Sequence, residues 1–159
     1  MLFSSSPAIL PSPHSFAAVF TAAARARSAS AGAAAHALAC KVPSASSNVF
    51  VFTSLLNMYC KLDLVPDARR VFDEMPVRNE FSWAAMVAGY ASTKCSEEAF
   101  EIFQLMLAEC PSQKNEFAAT AVLSAVSVPA GLPMGVQLHG LAVKDGLVVF
   151  VSVENSLVT

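Results

Sequence analysis

The chain repeats itself, and a repeating chain has few ways to fold. Sliding the segment from Thr53 to Met75 forward by 31 residues sets Leu55 on Met86, Leu56 on Val87 and Tyr59 on Tyr90. Further along, Asp67 meets Glu98, Ala68 meets Ala99, Val71 meets Ile102, Phe72 meets Phe103 and Met75 meets Met106. The last four pairs fall at i, i+3, i+4 and i+7, the spacing of one helical face. A longer period runs alongside. "GAAAHALACK" at 32–41 matches "GVQLHGLAVK" at 135–144 with an offset of 103, and "VFTSLLN" at 51–57 matches "VENSLVT" at 153–159 with an offset of 102. Coherent matches at two periods describe a unit of about three sub-repeats that then begins again.

Each sub-repeat reads as two helices. In the clearest, the spacing predicts a first helix over roughly 50–61 and a second over roughly 65–75. The join is "KLDLVPD", where Pro66 suits the first turn of the second helix and Asp67 favours its positive end. Pro76 disfavours helical geometry at Met75 and so ends it. One hairpin cannot bury its apolar stripe alone, whereas stacked hairpins share a continuous core. The expected fold is all-α, a right-handed α-solenoid of stacked helix-turn-helix repeats without strands.

Composition removes several functions. Hydrophobic residues make up 55% and charged residues 14% of the 159, and mean hydropathy is +0.53, enough to test for a membrane span. The longest charge-free interior stretch, Phe117 to Val143, is broken by Pro129, Gly131, Pro133 and Gly135, and its unbroken part is too short to cross a bilayer. No membrane contact is expected. A net charge of −2 provides no broad basic field for duplex phosphates. Cys40, Cys60, Cys95 and Cys110 have no Cys-x-x-Cys pairing, so they read as buried, reduced thiols and neither a metal nor another cofactor is expected. The first acidic residue is Asp63. Before it the chain is rich in Ser and Ala, with Arg25 and Arg27, which is the composition of an organelle transit segment.

These residues resemble the plant pentatricopeptide-repeat family, of the subclass that mixes repeats of three lengths. "SLLNMYCKLDLVPDARRVFDEMPVRNEFSWAAMVAGY" is similar to a short repeat followed by a standard one, and "GVQLHGLAVKDGL" to the end of a long one. In that register residues 1–12 are a disordered transit segment and 13–48 a degenerate long repeat. A short repeat follows at 49–79, a standard one at 80–115, a long one at 116–150, and the start of a truncated repeat at 151–159. The resemblance implies binding of single-stranded organellar RNA, one base per repeat, in support of RNA editing or another processing step with its protein factors. It implies mitochondria or chloroplasts, the Ala and Arg content leaning to mitochondria.

The family's base choice rests on the fifth and last residues of each repeat. Carried over, these are Thr53 with Asn79, Ala84 with Asn115, and Thr120 with Phe150, while Asn155 is the fifth residue of the unfinished repeat. Thr and Asn supply short, stiff polar groups that suit a base edge, and Thr53 with Asn79 resembles the adenine-reading pair. Ala84 and Phe150 depart from the pattern. Locally, Asn79 and Asn115 also suit turns or helix N-caps. Trp83, Phe72, Phe103, Met75 and Met106 are expected in the core, and His36 and His139 in packing. No catalytic constellation is present, and the His-x-Glu and Cys-x-x-Cys signature of the deaminase-like tail found in longer members does not occur. The chain is therefore not expected to be an enzyme. Two other readings stand beside RNA binding: a protein-binding helical scaffold, and a non-functional truncated gene product.

Overall fold

A computed structural model of the chain describes residues 11–110 and 116–126, together with the isolated position 140. Among the described residues eight helices follow one another: α1 (Pro13–Arg25), α2 (Ala29–Ala39), α3 (Pro43–Ser46), α4 (Val49–Lys61), α5 (Val65–Glu74), α6 (Glu80–Ser92), α7 (Ser96–Glu109) and α8 (Glu116–Val126). No strand occurs among the described residues. Helices α1, α4, α6 and α8 lie side by side as one layer, each packed on the next. Helices α2, α5 and α7 form the other layer, each packed on its own hairpin mate and on the first helix of the following hairpin. This is an all-α repeat solenoid.

Local chemistry sets the helix ends as the repeat requires. Pro66 sits in the first turn of α5 with Asp67, and Met75 leaves the helix with an extended ψ of 122°. Two residues after α1, α4 and α6 the chain turns through a left-handed residue: Arg27 (φ 50°), Asp63 (φ 62°) and Lys94 (φ 61°). All three are non-glycine and charged. The turn of the first hairpin also holds the second, because the Arg27 guanidinium donates to the Lys61 carbonyl at 3.2 Å and to the Asp63 carboxylate at 2.6 Å. Both side chains of that ion pair are more than half exposed, so the pair adds little beyond closing the end of α4.

The 31-residue correspondence is a correspondence of burial. Leu55 and Met86, Leu56 and Val87, Ala68 and Ala99, Val71 and Ile102, Phe72 and Phe103, and Met75 and Met106 are all buried. Trp83 is 1% exposed and meets Phe72 edge-on, with ring centroids 4.8 Å apart. Its place in the core agrees with the sequence reading. His36, also expected in packing, hydrogen-bonds through Nδ1 to the Tyr59 hydroxyl at 2.9 Å, joining α2 to α4.

Three features differ from the sequence reading. The first repeat holds a third, four-residue helix, α3, started by Pro43. Ser12, placed with the disordered leader, instead accepts the Ser15 amide and caps α1; residues 1–10 lie outside the described residues. Of the four cysteines only Cys60 is buried, Cys40 is exposed, and Cys95 and Cys110 are half-buried. The last three stand at helix boundaries, where one side of the residue faces the turn.

Candidate nucleic-acid interface

The layer of first helices carries a row of exposed aromatic rings. Phe50, Phe81 and Phe117 are 51%, 62% and 65% exposed, although each begins an otherwise well-buried helix. Each is the second residue of its helix, counting from Val49, Glu80 and Glu116. His14 holds the same place in α1 and is exposed as well. A large apolar ring left in water at the same point of every repeat is not explained by packing.

The fifth residues lie one turn further along the same helix faces, three positions after each ring. Thr53 is half-buried, and its hydroxyl donates to the Val49 carbonyl at 2.8 Å. That bond occupies its hydrogen and leaves oxygen lone pairs, so Thr53 presents an acceptor. Ala84 is buried and forms part of the floor of a groove of about 620 Å³ between α4 and α6, with Phe81, Phe117, Asn57, Lys61 and Ala88 among its walls. The Thr120 hydroxyl is buried without a hydrogen-bond partner among the described residues.

Asn79 caps α6. Its Oδ1 accepts the Ser82 amide at 2.9 Å, and the Ser82 hydroxyl accepts the Asn79 amide at 2.9 Å, which closes a capping box. The cap uses the oxygen of the side-chain amide. Among the described residues no acceptor takes the Nδ2 hydrogens, so the half-buried Asn79 offers a donor where Thr53 offers an acceptor. Asn115, Phe150 and Asn155 lie outside the described residues, as does His139.

Sequence reading missed two sets of residues here. Asn48 does for α4 what Asn79 does for α6, its Oδ1 accepting the amides of Phe50 and Val51 at 3.0 and 3.3 Å. It is also the last residue of the 13–48 unit, and that register alone could have marked it. The exposed phenylalanines were visible in the recurrence of "NEF" at 79–81 and 115–117, where the Asn and Glu had local explanations and the Phe had none.

Among the described residues no helix is long and apolar enough to cross a membrane. The PPR repeat family profile matches residues 45–76 and again 81–110. A pentatricopeptide repeat-containing protein of Arabidopsis thaliana is 40% identical over 152 residues, which is 95% of this chain and 21% of the relative. A second from the same plant is 37% identical over 99% of this chain and 20% of its own length. Others are named as mitochondrial (42% identical over 60% of this chain and 15% of the relative) and as chloroplastic (38% over 72% and 18%). The chain thus spans about a fifth of the length of the first two relatives. With two matched repeats, stacked hairpins that bury the same positions, and relatives aligned over nearly its whole length, the chain belongs to the pentatricopeptide-repeat family.

Proposed function

We propose that the chain binds single-stranded RNA in an organelle, one base to a repeat, and contributes sequence specificity to RNA editing or another processing step. The observation that carries this reading is the row of exposed rings on the first helices, each one turn from a fifth-position residue. Aromatic faces in such a row accept unstacked bases of any identity, at roughly 1–3 kcal/mol per base. Identity is then read at the base edge. The Asn79 amide donates and the Thr53 hydroxyl accepts, which complements adenine, whose Watson–Crick edge has one acceptor nitrogen and one amino donor. Asn48, Asn115, Thr120 and Asn155 hold corresponding positions in the other repeats, whereas Ala84 has no hydrogen-bonding side chain. Lys61 and Arg25, each the last residue of a first helix, put a cation beside each groove, and the Asp63 carboxylate that shares the groove of Lys61 is paired with Arg27. With a net charge of −2, these local cations and stacking carry affinity in place of a broad field.

An organellar setting is supported by the acid-free leader and by relatives named for both organelles. The mixed-length subclass and the boundaries 13–48, 49–79, 80–115 and 116–150 belong to the same proposal. One observation favours a second reading. The groove's lining at Ala84, Ala85 and Ala88 is apolar, as a peptide-binding scaffold would have it. Residues 49–115 placed within a longer array of repeats separate the two. Phe81→Ala should weaken binding of single-stranded RNA by roughly 1–3 kcal/mol, largely regardless of base. Unchanged RNA affinity in that variant would favour the scaffold.

A further inference from the structure

The rings of the first two repeats touch, with His14 and Phe50 centroids 5.3 Å apart and planes inclined at 59°. A base held flat between two rings needs them about 7 Å apart, two contacts of about 3.5 Å each. At the first position that space is taken. The same contact explains why Phe50 is the least exposed of the three phenylalanines. Behind the touching rings, the fifth residue of the first repeat is Ala17, which like Ala84 is buried and has no polar group for a base edge. Among the described residues no such ring contact joins Phe50 to Phe81 or Phe81 to Phe117, and the last two line the groove around Ala84.

We infer that the His14–Phe50 contact closes the slot between α1 and α4, so that no base sits there and the base next to it along the described stack is the one facing Thr53. The inference rests on the RNA-binding reading and adds a register to it. The repeat of α1 then takes no base: α1 packs against α4, and His14 fills the place a base would take. The groove of about 520 Å³ along α1 and α4 has the touching rings of His14 and Phe50 in its own wall, together with Ala17, Thr21, Ser54 and Arg25.

The test is an NMR titration of the full chain with an adenosine pentanucleotide at millimolar concentration, high enough to register weak binding. In the native chain the amides of Thr53 and Phe81 should shift, and those of Ala17 and Ala18 should stay in place. His14→Ala opens the slot, and shifts at Ala17 and Ala18 should then appear. His14→Phe keeps a ring there and should behave as the native chain does. Since His14 is exposed, circular dichroism should show both variants folded. Native shifts at Ala17 as large as those at Thr53 would overturn the inference, and so would a folded His14→Ala variant whose Ala17 does not respond. Absence of shifts at every residue would instead refute the RNA-binding reading, and the register with it.

Discussion

Arg78, Asn79, Glu80 and Phe81 stand next to one another and have four separate tasks. Arg78 turns back on the helix before it: its Nε donates to the Phe72 carbonyl at 3.2 Å, and its guanidinium lies 4.9 Å from the Phe72 ring centroid and 5.9 Å from that of Trp83. It also reaches Glu109 of α7 at 3.6 Å, which ties consecutive repeats together. Asn79 caps the following helix, Glu80 sets a negative charge in its first turn, and Phe81 faces water. In the sequence only the Asn and Glu could be explained. A cation capping a preceding helix and a ring without a partner are relations between elements, and those appear only once the hairpins are stacked. The turn residues show the same limit. A left-handed lysine at 94 has no mark in the sequence, because only glycine announces that conformation. Lys94→Gly should stabilise the fold by about 1 kcal/mol, since the side chain is strained there. Urea unfolding checks this, and a loss of stability would show that the lysine makes a contact worth more than its strain.

Helix against helix, α4 and α6 approach closely at Gly89. A Cβ built on Gly89 would lie 2.5 Å from the Cys60 sulfur and 3.2 Å from its Cβ. Alanine at 89 would gain about 1 kcal/mol of helix propensity, but overpacking a filled core costs about 1–3 kcal/mol. Gly89→Ala should therefore be destabilising by about 1 kcal/mol in urea unfolding. Adding Cys60→Ala should recover most of that loss; if it does not, the close approach is not what demands glycine. The Cys60 thiol is itself pushed up to about 12 by burial, so it packs as a small apolar group. Between α2 and α4 the His36–Tyr59 bond makes stability depend on pH. Burial holds His36 below its ordinary value of 6.5, opposed by Glu74 and Asp67 and helped by Arg70, all three from α5. A histidine with a lowered folded pKa favours the neutral fold. Its stability is intact above 6.5, begins to fall as pH drops through 6.5, and is fully lost below the folded value. Melting temperature should thus fall more between pH 7 and pH 5 in the native chain than in His36→Gln, and parallel curves would exclude His36 as the cause. At this scale α4, α5 and α7 were legible because their apolar residues recur on one face, while α6, buried nearly all round, was legible through its 31-residue match to α4. The first repeat was less so. The run "ASAGAAAHALA" of α2 has little contrast between its faces, and a four-residue helix such as α3 has no period to detect.

For the whole molecule, two coherent periods were enough to predict a stack of hairpins, because a repeated amphipathic pair has no other way to bury its stripe. Which layer faces a ligand was less legible. The row at Phe50, Phe81 and Phe117 marks the first-helix layer, and exposure of an apolar residue is a property of the assembled stack. Asn79 caps α6 with its oxygen, and in the RNA-binding proposal its nitrogen meets the base. Asn79→Asp separates the two, because a carboxylate caps equally well but replaces the donor with an acceptor. The decisive measurement is binding by a longer array carrying residues 49–79, assayed on single-stranded RNAs that differ only in the base opposite that repeat. The native repeat should prefer adenine by about 1–3 kcal/mol, on the scale of a specific base-edge contact. Asn79→Asp should move the preference to guanine, whose ring N–H suits an acceptor, with unfolding stability unchanged. Equal affinity for all four bases in both forms would leave Asn79 as a helix cap alone and contradict the account.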